Sequence, residues 1–283
     1  MQPVVIRALR RDEMALVIDF AAREGWNPGL HDAEAFHAAD PDGFLVAECD
    51  GEAVGCIAAV SYEGRFGFIG LYIVAPEWRG KGIGLQLWNA GTARLEGHVV
   101  GLDGVPAQQA NYRRSGFALA WQNVRFAGVT GPTAGALPAQ IVPLQAIDPA
   151  WLKADDRRVF PAARDAFLQH WTAAMPDAVG LAWLEHGRLA GWGLIRRCRE
   201  GHKIAPLVAA ESAIAEALFS ALCAAVPAGE MVFIDVPLPN LEAMALAEAR
   251  GMQRVFETAR MYAGPAPACE IDRVYGITSF ELG

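Results

Sequence analysis

The stretch LYIVAPEWRGKGIG (residues 71–84) combines an apolar run, a glycine-rich turn and the start of a second apolar pattern. The run predicts a strand and the second pattern a helix. One apolar face of this helix is formed by Ile83, Leu87, Gly91 and Leu95. Glycine lets the backbone approach a ligand closely, and the free N–H groups of a first helical turn attract an anion. With the positive charges of Arg79 and Lys81, the stretch predicts a diphosphate site.

Two common nucleotide motifs do not fit this stretch. A Walker A loop has a wider glycine spacing and a lysine followed by Ser or Thr, whereas Lys81 is followed by Gly82. The Rossmann pattern G-x-G-x-x-G is absent, and the stretch follows a third strand instead of a first one. With these two motifs set aside, the stretch predicts a site for the pyrophosphate of coenzyme A.

The surrounding patterns predict a mixed fold. Helices are expected over residues 12–25, 32–39, 83–95 and 107–115, and strands over 44–49, 53–62, 66–74, 99–102 and 117–126. An antiparallel first part therefore joins a βαβ second part, which is typical of an α/β (α+β) fold.

The same order recurs further along the chain. Leu45, Gly51 and Gly55 reappear at one constant offset as Leu181, Gly187 and Gly191, and Gly116 and Arg125 reappear as Gly251 and Arg260. Residues 128–138 are rich in Gly, Pro, Thr and Ala and predict a linker. The sequence thus predicts two tandem domains, residues 1–130 and 138–283, each a mostly antiparallel mixed sheet flanked by helices.

Arg79, Gly82 and Gly84 resemble the signature of GNAT N-acetyltransferases: Arg or Gln, two residues, Gly, one residue, Gly or Ala. The resemblance covers residues 3–128, and the whole chain resembles a tandem GNAT subgroup with a degenerate second domain. It implies acetyl-CoA as co-substrate. The cofactor-binding residues that it implies are Leu71, Tyr72, Ile73, Val74, Arg79, Gly80, Lys81, Gly82, Ile83, Gly84, Leu85, Asn111 and Tyr112.

The catalytic group implied by the resemblance is Tyr112. With Asn111 it precedes RRSGF (residues 113–117), which is similar to the GNAT segment that ends in Gly-Phe. Tyr112 would protonate the departing thiolate, a role that suits a group with a pKa near ~10. The base that takes the proton of the amine has three candidates, Asp103, His37 and Glu24, and the sequence does not choose among them.

The acceptor pocket is placed by the resemblance at the first two helices and their loop, which contains Trp26 and Asn27. Trp26 offers an aromatic wall or is a buried turn residue. In the second half, Arg196 and Arg197 follow a predicted strand over residues 189–195. They either bind an acidic acceptor or lie at a solvated strand end.

Two further expectations concern the second half. The loop at residues 209–212 has no glycine, and Glu211 places negative charge where a diphosphate would lie, so this half is predicted not to bind CoA. The apolar segment 274–282 is expected to pack on a sheet or pair with it.

Composition excludes several other functions. The net charge is −8 without a basic block, which argues against a nucleic-acid partner. Apolar runs fall short of the ~18–20 residues that span a membrane. The five cysteines are odd in number and widely spaced, which fits neither a disulfide framework nor a metal site. A cytoplasmic monomer or homodimer is expected.

The function predicted from the sequence is direct transfer of an acetyl group from acetyl-CoA to the amine of a small molecule or peptide. Two alternatives remain open at this level. One is a CoA-binding regulatory protein or pseudoenzyme without turnover, and the other is an acyltransferase that uses longer chains.

Overall fold

The computed structural model describes residues 3–131, here the first half, and residues 137–283, the second half. The first half contains β1 (Val4–Ala8), α1 (Ala15–Arg23), α2 (Asp32–Ala39), β2 (Phe44–Cys49), β3 (Glu52–Tyr62), β4 (Phe66–Val74), α3 (Ile83–Arg94), β5 (Val99–Gly104), α4 (Gln109–Arg114) and β6 (Phe117–Val129). The second half contains β7 (Ile141–Pro143), α5 (Pro149–Val159), α6 (Asp165–Trp171), β8 (Ala178–Glu185), β9 (Arg188–Arg197), β10 (His202–Ala209), α7 (Ser212–Ala224), β11 (Met231–Pro237), α8 (Leu241–Ala249), β12 (Gln253–Ala263) and β13 (Val274–Gly276).

The helices and strands expected for the first half are present, with small shifts at their ends. Strand β1 was not predicted, because it is only five residues long and lies at the edge of the sheet, paired with β2 alone. The expected linker begins too early, since Gly128 and Val129 still belong to β6 and pair with β11. Residues 132–136 of that linker lie outside the described residues.

Both halves contribute to one 13-stranded sheet, in the order β1-β2-β3-β4-β5-β12-β6-β11-β10-β9-β8-β7, with β13 paired to β10. Strand β12 of the second half lies between β5 and β6 of the first. Strand β6 in turn pairs with β11 of the second half. Each half has therefore exchanged its last long strand with the other, and the sheet continues across the boundary between the two sequence repeats.

Two buried ion pairs fasten this exchange at equivalent positions. Arg125 on β6 forms a two-pronged pair with Asp235 on β11, at 2.6 and 2.8 Å. Arg260 on β12 forms the same pair with Asp103 on β5, at 2.8 and 2.7 Å. The Arg125–Arg260 correspondence seen in the repeat is thus a structural one, and each pair joins a strand of one half to a strand of the other.

The tail segment, defined here as residues 274–283, is buried as expected from its apolar character. Its first part, β13, pairs with β10. Its last part reaches the first half, where the Tyr62 hydroxyl donates to the carbonyl of Leu282 at 3.0 Å. Arg164 donates to the carbonyl of Gly283 at 2.7 Å. The tail segment therefore ends against both halves.

Candidate active site

A gap opens in the sheet where β4 and β5 diverge. Their parallel pairing ends at Ile69 and Leu102. Just beyond, the register between β3 and β4 shifts, and Leu71 has a φ of +48°, a left-handed conformation that is uncommon outside glycine. This β-bulge re-aims the backbone of β4. Residues 70–74 stay beside β3, but on the side toward β5 no strand of the described part of the chain pairs with them.

The glycine loop follows at the end of β4. Gly80 and Gly82 have φ values of +76° and +79°, a region that strains other residues. Gly82 caps α3, and the first bond of this helix runs from the Gln86 N–H to the Gly82 carbonyl. The N–H groups of residues 83–85 thus have no partner within the helix and are available to an anion. A Cβ at Gly84 would lie 2.8 Å from the Tyr72 hydroxyl, so the loop is closely packed against β4.

The two cations of the loop differ in their surroundings. Arg79 forms an ion pair with Glu24 at the end of α1, and its Nε donates to the Val74 carbonyl at 2.8 Å. The ammonium of Lys81 stands 4.4 Å from the centre of the Trp78 ring. The glycine loop is therefore anchored to α1 through Arg79, while Lys81 extends from it on the exposed side.

One cavity of about 430 Å³ connects the gap and the loop. The lining includes eight of the residues predicted to bind the cofactor, here called the cofactor end, namely Leu71, Tyr72, Ile73, Val74, Arg79, Gly80, Gly84 and Tyr112. The remaining lining includes Glu24, Trp26, Asp103, Arg125, Phe256, Thr258, Phe280 and Glu281, which are here called the acceptor end. Phe256 and Thr258 come from β12 and Phe280 and Glu281 from the tail segment, so the second half forms much of the acceptor end.

Tyr112 is partly buried at the cofactor end. Its ring lies 5.5 Å from that of Trp88 and 6.4 Å from that of Phe117, and it covers Gly104. Burial raises the pKa of Tyr112 to about 12. The hydroxyl is therefore protonated at neutral pH and can donate a hydrogen bond into the cavity.

Several predicted acceptor residues lie elsewhere. The side chain of Asn27 exchanges hydrogen bonds with the backbone of Glu200, both at 2.9 Å. Arg196 belongs to β9 itself instead of following it, and its buried guanidinium pairs with Asp32 at 2.8 and 3.0 Å. These bonds leave Arg196 outside the cavity, so the structure gives no support to its role with an acidic acceptor. Trp26 is the predicted acceptor residue that does line the cavity.

Asn111 also lies outside the cavity lining. Its amide donates to Gln108 Oε1 at 2.7 Å on the exposed side of α4. Lys81 and Gly82 of the loop, and Ile83 and Leu85 of α3, do not line the cavity.

The base candidates separate clearly in the structure. His37 is not among the cavity residues. Glu24 pairs with Arg79, and the buried carboxylate of Asp103 accepts from Arg260 and from Asn123. Glu281 is a cavity carboxylate that the sequence reasoning missed. Its signal was a single acidic residue, between Phe280 and Leu282, in an otherwise apolar segment.

The equivalent gap in the second half is filled. Parallel pairing of β10 with β11 ends at Ile204 and Ile234, and beyond that point β13 pairs with β10. Only Ala210 and Glu211 separate β10 from α7, which leaves no glycine loop. The absence of CoA binding in this half stays a prediction, and this geometry supports it.

No helix within residues 3–131 and 137–283 is long and apolar enough to cross a membrane. Across these described residues, no group of His, Cys, Asp and Glu side chains is arranged to hold a metal ion.

Comparison with known proteins defines the class. The sequence model of the Acetyltransferase (GNAT) family matches residues 10–117, and that of an Acetyltransferase (GNAT) domain matches residues 154–276. The chain therefore belongs to the GNAT family, as a tandem of two GNAT domains.

Individual relatives agree with this assignment. The holothin acyltransferase of Pseudoalteromonas sp. (strain SANK 73390) is 31% identical over 272 residues, 96% of this chain and 92% of that protein. An acetyltransferase of Photorhabdus laumondii is 41% identical over 99 residues, 34% of this chain and 66% of the relative.

Two solved structures share the fold. An acetyltransferase candidate from Pyrococcus horikoshii has a TM-score of 0.83 at 22% identity, covering 100% of this chain and 97% of that one. A tandem GNAT protein from the clavulanic acid biosynthesis pathway has a TM-score of 0.66 at 15% identity, covering 93% of this chain and all of the other. At these identities the likeness concerns the fold alone.

Proposed function

We propose that this protein transfers an acetyl group from acetyl-CoA to the amine of a small molecule. One observation carries the proposal: the unpaired edge of β4 after the bulge at Leu71 and the glycine loop before α3 open into the same cavity. A pantetheine arm would bind the free backbone of residues 70–74 like an added strand. The pyrophosphate would then lie against the N–H groups of residues 83–85.

The proposed reaction forms a C–N bond and breaks the C–S bond of the thioester. The amine nitrogen attacks the carbonyl carbon, and a backbone N–H at the bulge would stabilise the charge on its oxygen. Sulfur leaves with the electron pair, Tyr112 donates its proton toward the thiolate, and the proton that the nitrogen loses on amide formation restores the Tyr112 hydroxyl through solvent. A pKa of about 12 for Tyr112 lies above that of an ordinary thiol, but the apolar walls that raise it would raise the pKa of the CoA thiol as well.

The acceptor end favours a compact amine on a flat apolar body. The rings of Trp26, Phe256 and Phe280 line it together with carboxylates. Aromatic faces and carboxylates both attract a cation, which an amine is before it reacts. The holothin acyltransferase matches this chain along nearly its whole length, and its name supports a small-molecule acceptor.

Calorimetry with acetyl-CoA tests the binding step. We expect one site in the wild type and a loss of at least about 100-fold, or ~2.7 kcal/mol, in the double variant Gly82→Asp with Gly84→Asp, because both new carboxylates would face the pyrophosphate. The matched control is Gly64→Asp with Gly97→Asp, which adds the same charge at turns that lie at the opposite end of β4 and α3 from the loop. Absence of binding by the wild type would overturn the assignment.

Turnover is tested by thiol release with a panel of small amines, holothin included, and with CoA thioesters of increasing chain length. Acetylated product supports the proposal. Binding without product from any amine would favour the regulatory CoA-binding protein. Faster turnover with longer thioesters would indicate that the enzyme transfers a larger acyl group than acetyl.

A further inference from the structure

The acceptor amine must lose protons during acyl transfer. At neutral pH an aliphatic amine is an ammonium ion, with a pKa close to the ~10.4 of lysine, and has no free electron pair for attack. Overall, the ammonium ion and the thioester give an amide, a thiol and one released proton. A base close to the nitrogen, directly or through one water molecule, is therefore needed to accept this proton.

Three acidic residues line the cavity, and two of them are committed to arginine. Glu24 pairs with Arg79, and Asp103 pairs with Arg260. Both carboxylate oxygens of Asp103 accept hydrogen bonds from Arg260, so neither oxygen is free to approach an amine, although burial raises the pKa of this group. Among the residues that the structure describes, Glu281 forms no such ion pair. Its carboxylate accepts a hydrogen bond from the Ser279 hydroxyl through Oε2, at 2.6 Å.

Glu281 is also held firmly at the right place. Gly70, the residue before the bulge, lies so close that any Cβ there would overlap the carbonyl oxygen of Glu281. The next residue, Leu282, accepts from the Tyr62 hydroxyl, and the Glu281 N–H donates to Ser279 Oγ at 3.0 Å. The backbone of Glu281 thus packs directly against the strand that would hold the thioester.

Two phenylalanine rings and the guanidinium of Arg125 lie at this end of the cavity with Glu281. Phe280 lies beside Phe256, with ring centres 6.4 Å apart, and both face the guanidinium of Arg125. That guanidinium is committed to Asp235 and to the Trp26 carbonyl. It consequently does not neutralise Glu281 by a direct ion pair.

From these contacts we infer that Glu281, a residue of the second half, is the catalytic base of the site formed by the first half. It accepts the proton that the ammonium ion must lose before its nitrogen can attack the thioester. The tail segment then acts in both halves. Its strand β13 pairs with β10 in the gap of the second half, and its residue Glu281 supplies the base for the site of the first half. The inference rests on the proposed acyl transfer.

Variants at position 281 separate a base from a structural residue. Glu281→Gln keeps the size and the hydrogen bond to Ser279 but cannot accept a proton, whereas Glu281→Asp keeps the carboxylate on a shorter side chain. A base predicts that kcat/KM falls about 10²–10⁴-fold in Glu281→Gln and less in Glu281→Asp. A packing role predicts the reverse order, because Gln is the closer match in size. Glu257→Gln, at an exposed position of β12, is the matched control.

Acetyl-CoA affinity is measured by calorimetry for every variant and is expected to stay within about threefold of the wild type. Turnover is measured with the amine of the panel above that the wild type acetylates fastest. The inference alone would be overturned by a Glu281→Gln activity within threefold of the wild type. It would also be overturned by a Glu281→Asp activity below that of Glu281→Gln. No turnover by the wild type with any amine would overturn the proposed function, and this inference with it.

Discussion

Removing the charge of Asp235 tests whether the exchanged strands are fastened by their buried ion pairs. In the Asp235→Asn variant, the guanidinium of Arg125 stays buried without its anionic partner. Both side chains are at most 4% exposed. Breaking a buried pair from one side costs about 3–5 kcal/mol of unfolding free energy. For a chain of this size, each kcal/mol lowers Tm by about 2–4 °C, so we expect a fall of about 6–20 °C.

The assay is thermal and urea unfolding at neutral pH, with Asp165→Asn as the matched control. Asp165 pairs with Lys153 at the surface, where both side chains are at least 40% exposed, so its loss is expected to cost less than about 1 kcal/mol. A second variant, Arg125→Met with Asp235→Leu, removes both charges. We expect it to be more stable than Asp235→Asn, since an apolar pair leaves no buried charge unpaired.

The dependence of stability on pH provides a further test, because the pKa shift of Asp235 fixes its direction. Burial by itself would raise the pKa of Asp235, but the guanidinium of Arg125 outweighs it and holds the pKa below its usual value. The stabilisation is thus fully present above the unfolded pKa of ~3.9 and is lost as the pH falls through the lower folded value. The difference between wild type and Asp235→Asn should shrink in that acidic range. A stability loss no larger than that of Asp165→Asn, or no recovery in the double variant, would refute the reasoning.

The remaining predictions concern the division of the chain and the proposed acid. Residues 1–130 expressed alone should not give a soluble monomer, because β5 and β6 would lose β12 between them. Gel filtration of this fragment, with and without residues 138–283, checks the prediction. A stable monomer that binds acetyl-CoA would contradict it. Tyr112→Phe keeps the ring contact with Trp88 and should lower kcat about 10²-fold while the affinity for acetyl-CoA changes less than threefold, as measured by thiol release and calorimetry. An unchanged kcat would remove Tyr112 from the acid role.

Part of the cavity lining could be predicted from the sequence because its signals are local. The glycines, the apolar strand before them and the helix after them lie within residues 71–95, and the short spacing fixes their relative geometry. Leu71 to Val74, Arg79, Gly80, Gly84 and Tyr112 do line the cavity. The repeat likewise showed two GNAT halves, since matching turn glycines and the Arg125–Arg260 correspondence can be read without coordinates.

The acceptor end was not predictable in this way. Arg196 has the charge that suits an acidic acceptor, but its pairing with Asp32 depends on a contact between residues 164 positions apart. Such pairings follow from how the halves pack, and no local periodicity encodes them. Glu281 carried a weak signal, and only the folded tail segment brings it beside Gly70.

The sequence by itself therefore determined the family, the glycine loop and the duplication, because each depends on neighbouring residues whose backbone preferences act locally. Tertiary structure alone decided the exchange of β6 and β12, the filling of the second gap by β13 and the partners of each buried charge. The physical reason is that strand pairing and charge pairing are settled by competition among distant segments. Each buried arginine and carboxylate is stabilised only by the partner that the whole fold places within hydrogen-bond distance.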